Sequence, residues 1–154
     1  NSGMNSGKVL IVHHVKPYHL DDYLAVSLLM YKYSKLGYEV ERREVRDEKE
    51  LENIITTESN KYDKIIVVDI GKKYQITEKV AYYDHHHDAN TPCSLVLVLK
   101  HEFPELYEKI QRIEPLRKLL EYIDLRDRFG EKKADETLGI VEPFPLIGLL
   151  VAIL

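Results

Sequence analysis

Lys8-Val9-Leu10-Ile11-Val12-His13-His14 is the stretch on which the fold is read. An apolar run without alternation suits a strand covered on both faces, as in a parallel sheet. This one delivers two histidines at its carboxyl end. Two later stretches repeat the arrangement. Lys64-Ile65-Ile66-Val67-Val68-Asp69-Ile70 presents Asp69 just before Gly71, and Lys79-Val80-Ala81-Tyr82-Tyr83 runs into Asp84-His85-His86-His87-Asp88. Helical patterns lie between these strands. Asp21-Asp22 opens a predicted helix through Leu36, closed by Gly37, and Glu48 to Glu58 reads as a charged helix with Leu51, Ile54 and Ile55 facing inward. Tyr38 to Val45 alternates as a more exposed strand. Downstream, helices are predicted from Thr91-Pro92 to near His101, from Pro104, and from Pro115 to near Asp127, with Glu131 to Glu136 as a polar connector.

Strands alternating with helices predict an α/β fold with a mostly parallel sheet flanked by helices. Sites in such sheets lie off the carboxyl ends of the strands. His14, Asp69 and His85 occupy three such ends.

The composition is that of a soluble globular chain. Of 154 residues, 44% are hydrophobic and 31% charged, which excludes wholesale disorder and leaves enough apolar surface for a core. A net charge of −4 gives no broad basic face for duplex nucleic acid, although bound cations would reverse the sign locally. The single cysteine, Cys93, excludes an internal disulfide framework and fits a reducing, cytoplasmic setting. Asn1-Ser2-Gly3 ahead of Met4 reads as a cloning remnant. Residues 1–7 are therefore set apart from one expected domain over 8–154. The apolar run Leu146 to Leu154 is too short for a membrane span. It reads as a buried strand, a subunit contact or the cut end of a longer chain.

Three consecutive histidines between two aspartates are costly to bury without partners, and a divalent metal supplies one. His14 and His19 with Asp69 could hold one ion, and Asp21, Asp69 and His85 another, with Asp69 as the bridge. A mixed imidazole and carboxylate set favours Mn²⁺, with Mg²⁺ or another divalent ion as the alternative. Each residue has a plainer role open to it. Asp21 and Asp22 sit where a helix cap is wanted, and Asp69 suits a strand-end turn. His13 should point away from His14 along a strand, and His87 and Asp88 read as solvated loop. His101 suits a helix carboxyl end, and Cys93 suits core packing.

Taken together, His14-x4-His19-x-Asp21 with Ala25, Val68-Asp69-Ile70-Gly71 and Tyr83-Asp84-His85-His86 resemble the DHH phosphoesterase superfamily, in particular its melanocyte-proliferating-gene type. Leu97-Val98-Leu99-Lys100-His101 and Ile123-Asp124-x-x-Asp127 are similar to later motifs of that branch. The resemblance implies that His14, His19, Asp21, Asp69 and His85 are metal ligands, completed by Asp124 or Asp127. It gives Asp69, His85 and His86 catalytic roles, with His86 touching the scissile phosphate or assisting the leaving group. It implies a two-metal hydrolysis of a phosphodiester in nucleic acid or a nucleotide. Many members carry Asp where His19 stands. Members usually carry a second, C-terminal substrate domain, so 8–154 is expected to be the catalytic domain alone, completed by a homo-oligomer or a partner. Lys16, Lys72, Lys73, Arg126 and Arg128 lie near motif ends and are candidates for holding phosphate, Lys72 and Arg128 foremost. The competing expectations are a non-catalytic module of this fold that binds nucleic acid or a protein, and a histidine-rich site that stores or senses a metal.

Overall fold

The computed structural model describes residues 7–16, 18–130, 133, 134 and 136. Its strands are β1 (Lys8–His14), β2 (Glu39–Val45), β3 (Lys64–Val68), β4 (Tyr74–Ile76) and β5 (Val80–Tyr83). They form one sheet in the order β2-β1-β3-β5-β4. The first four strands in that order are parallel, and β4 runs antiparallel to β5 at the edge. The α/β fold with a mostly parallel, helix-flanked sheet is thus observed.

The helices are α1 (Leu20–Lys35), α2 (Glu48–Glu58), α3 (Ser94–Glu102), α4 (Pro104–Arg112) and α5 (Glu114–Phe129). The unbroken apolar runs are explained by two cores. Val9 and Ile11 of β1 with Ile66 and Val68 of β3 pack under α1, α3 and α5. Leu10, Val12, Ile65 and Val67 point the other way, onto Leu51 and Ile54 of α2. The alternation of the strand sends successive side chains into opposite layers, so every position must be apolar. β2 lies at the open edge and carries Glu39, Glu41, Arg42, Arg43 and Glu44, charges that oppose pairing with another chain.

α1 ends as its sequence predicts. Gly37 takes φ 95°, while the Gly37 and Tyr38 N–H groups donate to the Ser34 and Tyr33 carbonyls, closing the last turn. The chain then enters β2, and α2 returns it across the opposite face to β3. The sheet order therefore reverses direction between β1 and β3. Open α/β sheets bind ligands at such a reversal, off the carboxyl ends of the strands.

The structure corrects several expectations. β4 was not predicted: it has only three residues, all at least partly exposed, so no apolar pattern announces it. α3 starts at Ser94 and not at Thr91-Pro92, because Asp88 and Thr91 close a turn and Asp124 accepts the Cys93 N–H at 2.7 Å. Lys133, Ala134 and Glu136 are helical, and Ala134 is buried, where a polar connector was expected. The segments 1–6 and 146–154 lie outside the described residues. No helix among the described residues is long and apolar enough to cross a membrane.

Candidate metal centre

The site gathers on Asp69. This residue follows β3 in the left-handed region, at φ 59°, and its N–H extends the ladder by donating to the Tyr83 carbonyl at 2.9 Å. Aspartate tolerates that backbone better than most side chains, but the conformation remains strained. Gly71 follows at φ 101°, where any Cβ would also stand 3.1 Å from Tyr82. The sharp exit turns the Asp69 carboxylate back over the strand ends. The turn role and the site role expected for Asp69 are therefore compatible.

Around it stand groups from every other motif. His85 Nε2 lies 3.8 Å from one Asp69 oxygen, and His86 Nδ1 lies 3.9 Å from the same atom. His19 Nδ1 is 4.0 Å from the other oxygen and 3.7 Å from Asp127. His85 Nε2 is only 2.7 Å from Asp127 Oδ2, yet the pair lacks the alignment of a hydrogen bond. Asp21, Asp22, Asp69, Asp127 and His85 all carry a buried ligand-type atom without a well-aligned hydrogen bond, their nearest polar contacts including one another. For Asp21 this holds for both carboxylate oxygens. Buried polar atoms are paired in nearly all folded proteins, so such a concentration needs a cause.

Electrostatics point to the same cause. Burial, reinforced by the neighbouring Asp127, Asp22 and Asp84 charges, pushes the Asp69 carboxyl up to about 8. Burial and the charges of Asp127, Asp69 and Asp22 hold Asp21 well above the usual range. Burial raises Asp22 to about 6. Asp127 moves the other way: burial opposes its ionisation, but His85, Asp21 and His19 together outweigh it. Several carboxylates crowded out of water repel one another, and either protons or cations among them relieve that cost. The donors form three overlapping groups that could each hold an ion: Asp69, Asp84, His85 and His86; His19, Asp21 and Asp127; His19, Asp22 and Asp69. Hard carboxylate oxygens mixed with imidazoles suit a first-row divalent cation, and the residues present fit such ions.

The capping role open to Asp21 is not taken, whereas Asp22 does bond the backbone of His19 and Tyr23 at the start of α1. His19 occupies the cap position of α1 without a side-chain bond, and both aspartates lie in the first turn, each keeping at least one buried oxygen without a hydrogen bond. His14 stands on the wall of the same cleft as Asp69 and His86. Its Nδ1 is 2.9 Å from the Val15 carbonyl, which leaves Nε2 free. His13 points to the opposite layer, where it meets Arg42 at 2.9 Å, and plays the structural part expected of it.

Asp124 and Asp127, left open by the sequence, separate cleanly. Asp124 accepts from Cys93 and from both Nε and a terminal nitrogen of Arg128, whereas Asp127 faces His19 and His85. Arg128 also donates to the Ala89 carbonyl at 3.1 Å. It ties α5 to the Asp-His-His loop and is not turned to the cleft, contrary to the phosphate-holding part expected of it. Lys72 does line the cleft, with its Nζ 3.7 Å from Glu48. Cys93 is buried, and burial pushes its thiol well up, as core packing requires.

Two participants escaped the sequence reading. Asp22, read only as a possible helix cap, also joins the cluster beside Asp21. Asp84 accepts from His86 Nδ1 at 2.6 Å and from the His85 and Lys72 N–H groups. Its signal was present as the first residue of Asp84-His85-His86. The bond to Asp84 outweighs burial and lifts His86 to about 9.

In comparisons with known proteins, no family model, curated protein or solved structure matches the chain.

Proposed function

We propose that the chain is the catalytic domain of a DHH-type phosphoesterase, hydrolysing a phosphodiester in nucleic acid or a nucleotide with two divalent cations, Mn²⁺ foremost. The observation that carries this reading is the crowding of buried ligand-type atoms on Asp21, Asp22, Asp69, His85 and Asp127 that make contacts mainly with one another and lack aligned hydrogen bonds to other groups. His19, Asp21, Asp69, His85 and Asp127 would hold the ions, with His14 at the rim and Asp69 shared by the groups that contain His85 and His19. When bound, the ions supply neutralisation of phosphate charge and activation of the attacking water.

The chain's own residues do the rest. His86 is half-exposed, carries its proton at neutral pH, and keeps it through Asp84. Its Nδ1 is committed to that bond, so Nε2–H is the donor offered to the cleft. It would grip a phosphoryl oxygen and give its proton to the departing oxygen. Asp84, held in turn by two backbone N–H groups, orients that imidazole and stabilises its charge. The cytoplasmic setting, and a second domain, a second copy or a partner that closes the cleft, belong to the same proposal.

The test is hydrolysis of short oligonucleotides by the purified chain with Mn²⁺, followed by release of nucleotide. Asp69→Asn and Asp127→Asn should each abolish turnover. Undiminished activity in either variant would remove the proposal. Metal binding without hydrolysis of any phosphoester would favour a storage or sensing site, and folding with no metal uptake a non-catalytic binding module.

A further inference from the structure

The cleft that carries the cluster has a second wall. It encloses about 310 Å³ between His14, Asp69 and His86 on one side and Arg46, Glu48 and Lys72 on the other. Arg46 follows the last residue of β2 and is exposed. Its base is nonetheless rigid. Val45 is buried beneath it and its carbonyl accepts the Val15 N–H at 3.0 Å, while Asp47 caps α2 by accepting the Glu50 N–H at 2.9 Å. Among the described residues the guanidinium has no hydrogen bond and no ion pair. Lys72 is matched by Glu48 and Asp47 also lines this wall, so its charges balance in number, but the Arg46 guanidinium is left without an ion pair among the described residues and faces a wall of metal-type ligands.

A free guanidinium rooted in fixed backbone is suited to a bidentate grip on a phosphate. The hydrolysed phosphate belongs to the cations. We propose that Arg46 receives a different one, the phosphate adjacent to the scissile linkage, so that the substrate class is a nucleotide chain with at least two phosphates. The inference rests on the function proposed above and adds its substrate requirement. Arg46 acts as a specificity residue and takes no part in bond breaking.

The experiment uses the full chain with Mn²⁺ and thymidine dinucleotides bearing or lacking a terminal phosphate at either end, with a phosphorothioate at the internal linkage to slow turnover. Calorimetry should give tighter binding, by about tenfold or more, when one terminal phosphate is present. Arg46→Ala should erase that preference while leaving the affinity for the phosphate-free dinucleotide and for Mn²⁺ unchanged, and Arg46→Lys should restore part of it. Equal affinities in the wild-type chain, or an equal loss for all dinucleotides in Arg46→Ala, would overturn the inference. Cleavage of the normal dinucleotides is followed in parallel. No cleavage with phosphate-dependent binding intact would sink the hydrolase reading and leave the Arg46 site standing.

Discussion

Replacing Asp69 by Asn should make the metal-free protein more stable, not less. The substitution preserves shape, and Asn is among the few side chains that tolerate the φ of 59° found there, so the backbone adds no penalty of its own. Ala would not isolate the charge, because it would strain that conformation. The carboxyl rises from an ordinary 3.8 to about 8 on folding. A raised carboxyl means that the folded chain holds the proton more tightly than the unfolded chain. Its contribution to stability is therefore complete below pH 3.8 and is lost as pH climbs to about 8. At about 1.4 kcal/mol per pH unit, the loss by pH 8 approaches about 5 kcal/mol, an upper bound because relief at Asp69 is shared with Asp21 and Asp127. Asn has no proton to lose and escapes the decline. Urea unfolding in the presence of a chelator, taken from pH 4 to pH 8, should show the two proteins converging at the acid end and the variant ahead at the other. Adding Mn²⁺ at pH 8 should then raise the midpoint of the wild-type chain and leave that of the variant nearly unmoved. A variant weaker than the wild type without metal, or stabilised equally by Mn²⁺, would refute the claim that repulsion among buried carboxylates holds the site in readiness for a cation.

Asp127→Asn and Asp124→Asn should separate the two aspartates of α5: the first should abolish Mn²⁺ heat in calorimetry, and the second should keep it while lowering stability by about 1–2 kcal/mol through the weakened Cys93 and Arg128 bonds. With His86 lifted to about 9, turnover should fall as pH rises past that value. His86→Gln should lower kcat by about a hundredfold or more and remove that limb from the pH profile. Away from the site, Glu102 is buried and accepts from Lys32 at 2.8 Å, Tyr33 at 2.8 Å and Tyr83 at 2.5 Å. Glu102→Gln should cost about 3 kcal/mol at pH 7, measured by urea unfolding, and a change below about 1 kcal/mol would contradict the pairing. Burial opposes the charge of Glu102, but those donors hold its carboxyl below the ordinary range, so its contribution should fade as the solution is acidified through that lowered value.

The sequence revealed those parts that are governed by one-dimensional rules. The runs at 9–12 and 65–68 are apolar throughout because both layers of the fold press on them, and few environments besides a doubly covered strand call for so short a run without a polar break. The ends of those runs located His14 and Asp69. Orientation about a helix axis was less accessible. Asp124 and Asp127 lie one turn apart on nearly the same face, and only the seating of α5 against α3 decides which meets Cys93 and which meets His85. Arg128 was misassigned for the same reason, since its partner is the aspartate one turn back. β4 left no trace because it borrows its order from β5, where Tyr74 pairs with Tyr83. That Arg46 has no hydrogen bond or ion pair among the described residues is visible only in three dimensions.

The tie from Arg128 to Asp124 and Ala89, with Asp124 in turn on Cys93, anchors the last described helix to the loop that carries the histidines. That arrangement sets a timetable for a chain made on the ribosome. The strands with His14, Asp69 and His85 emerge first, but Asp127 arrives only with α5, so the nascent sheet lacks the full set of proposed cation donors until nearly all of the described domain has left the exit tunnel.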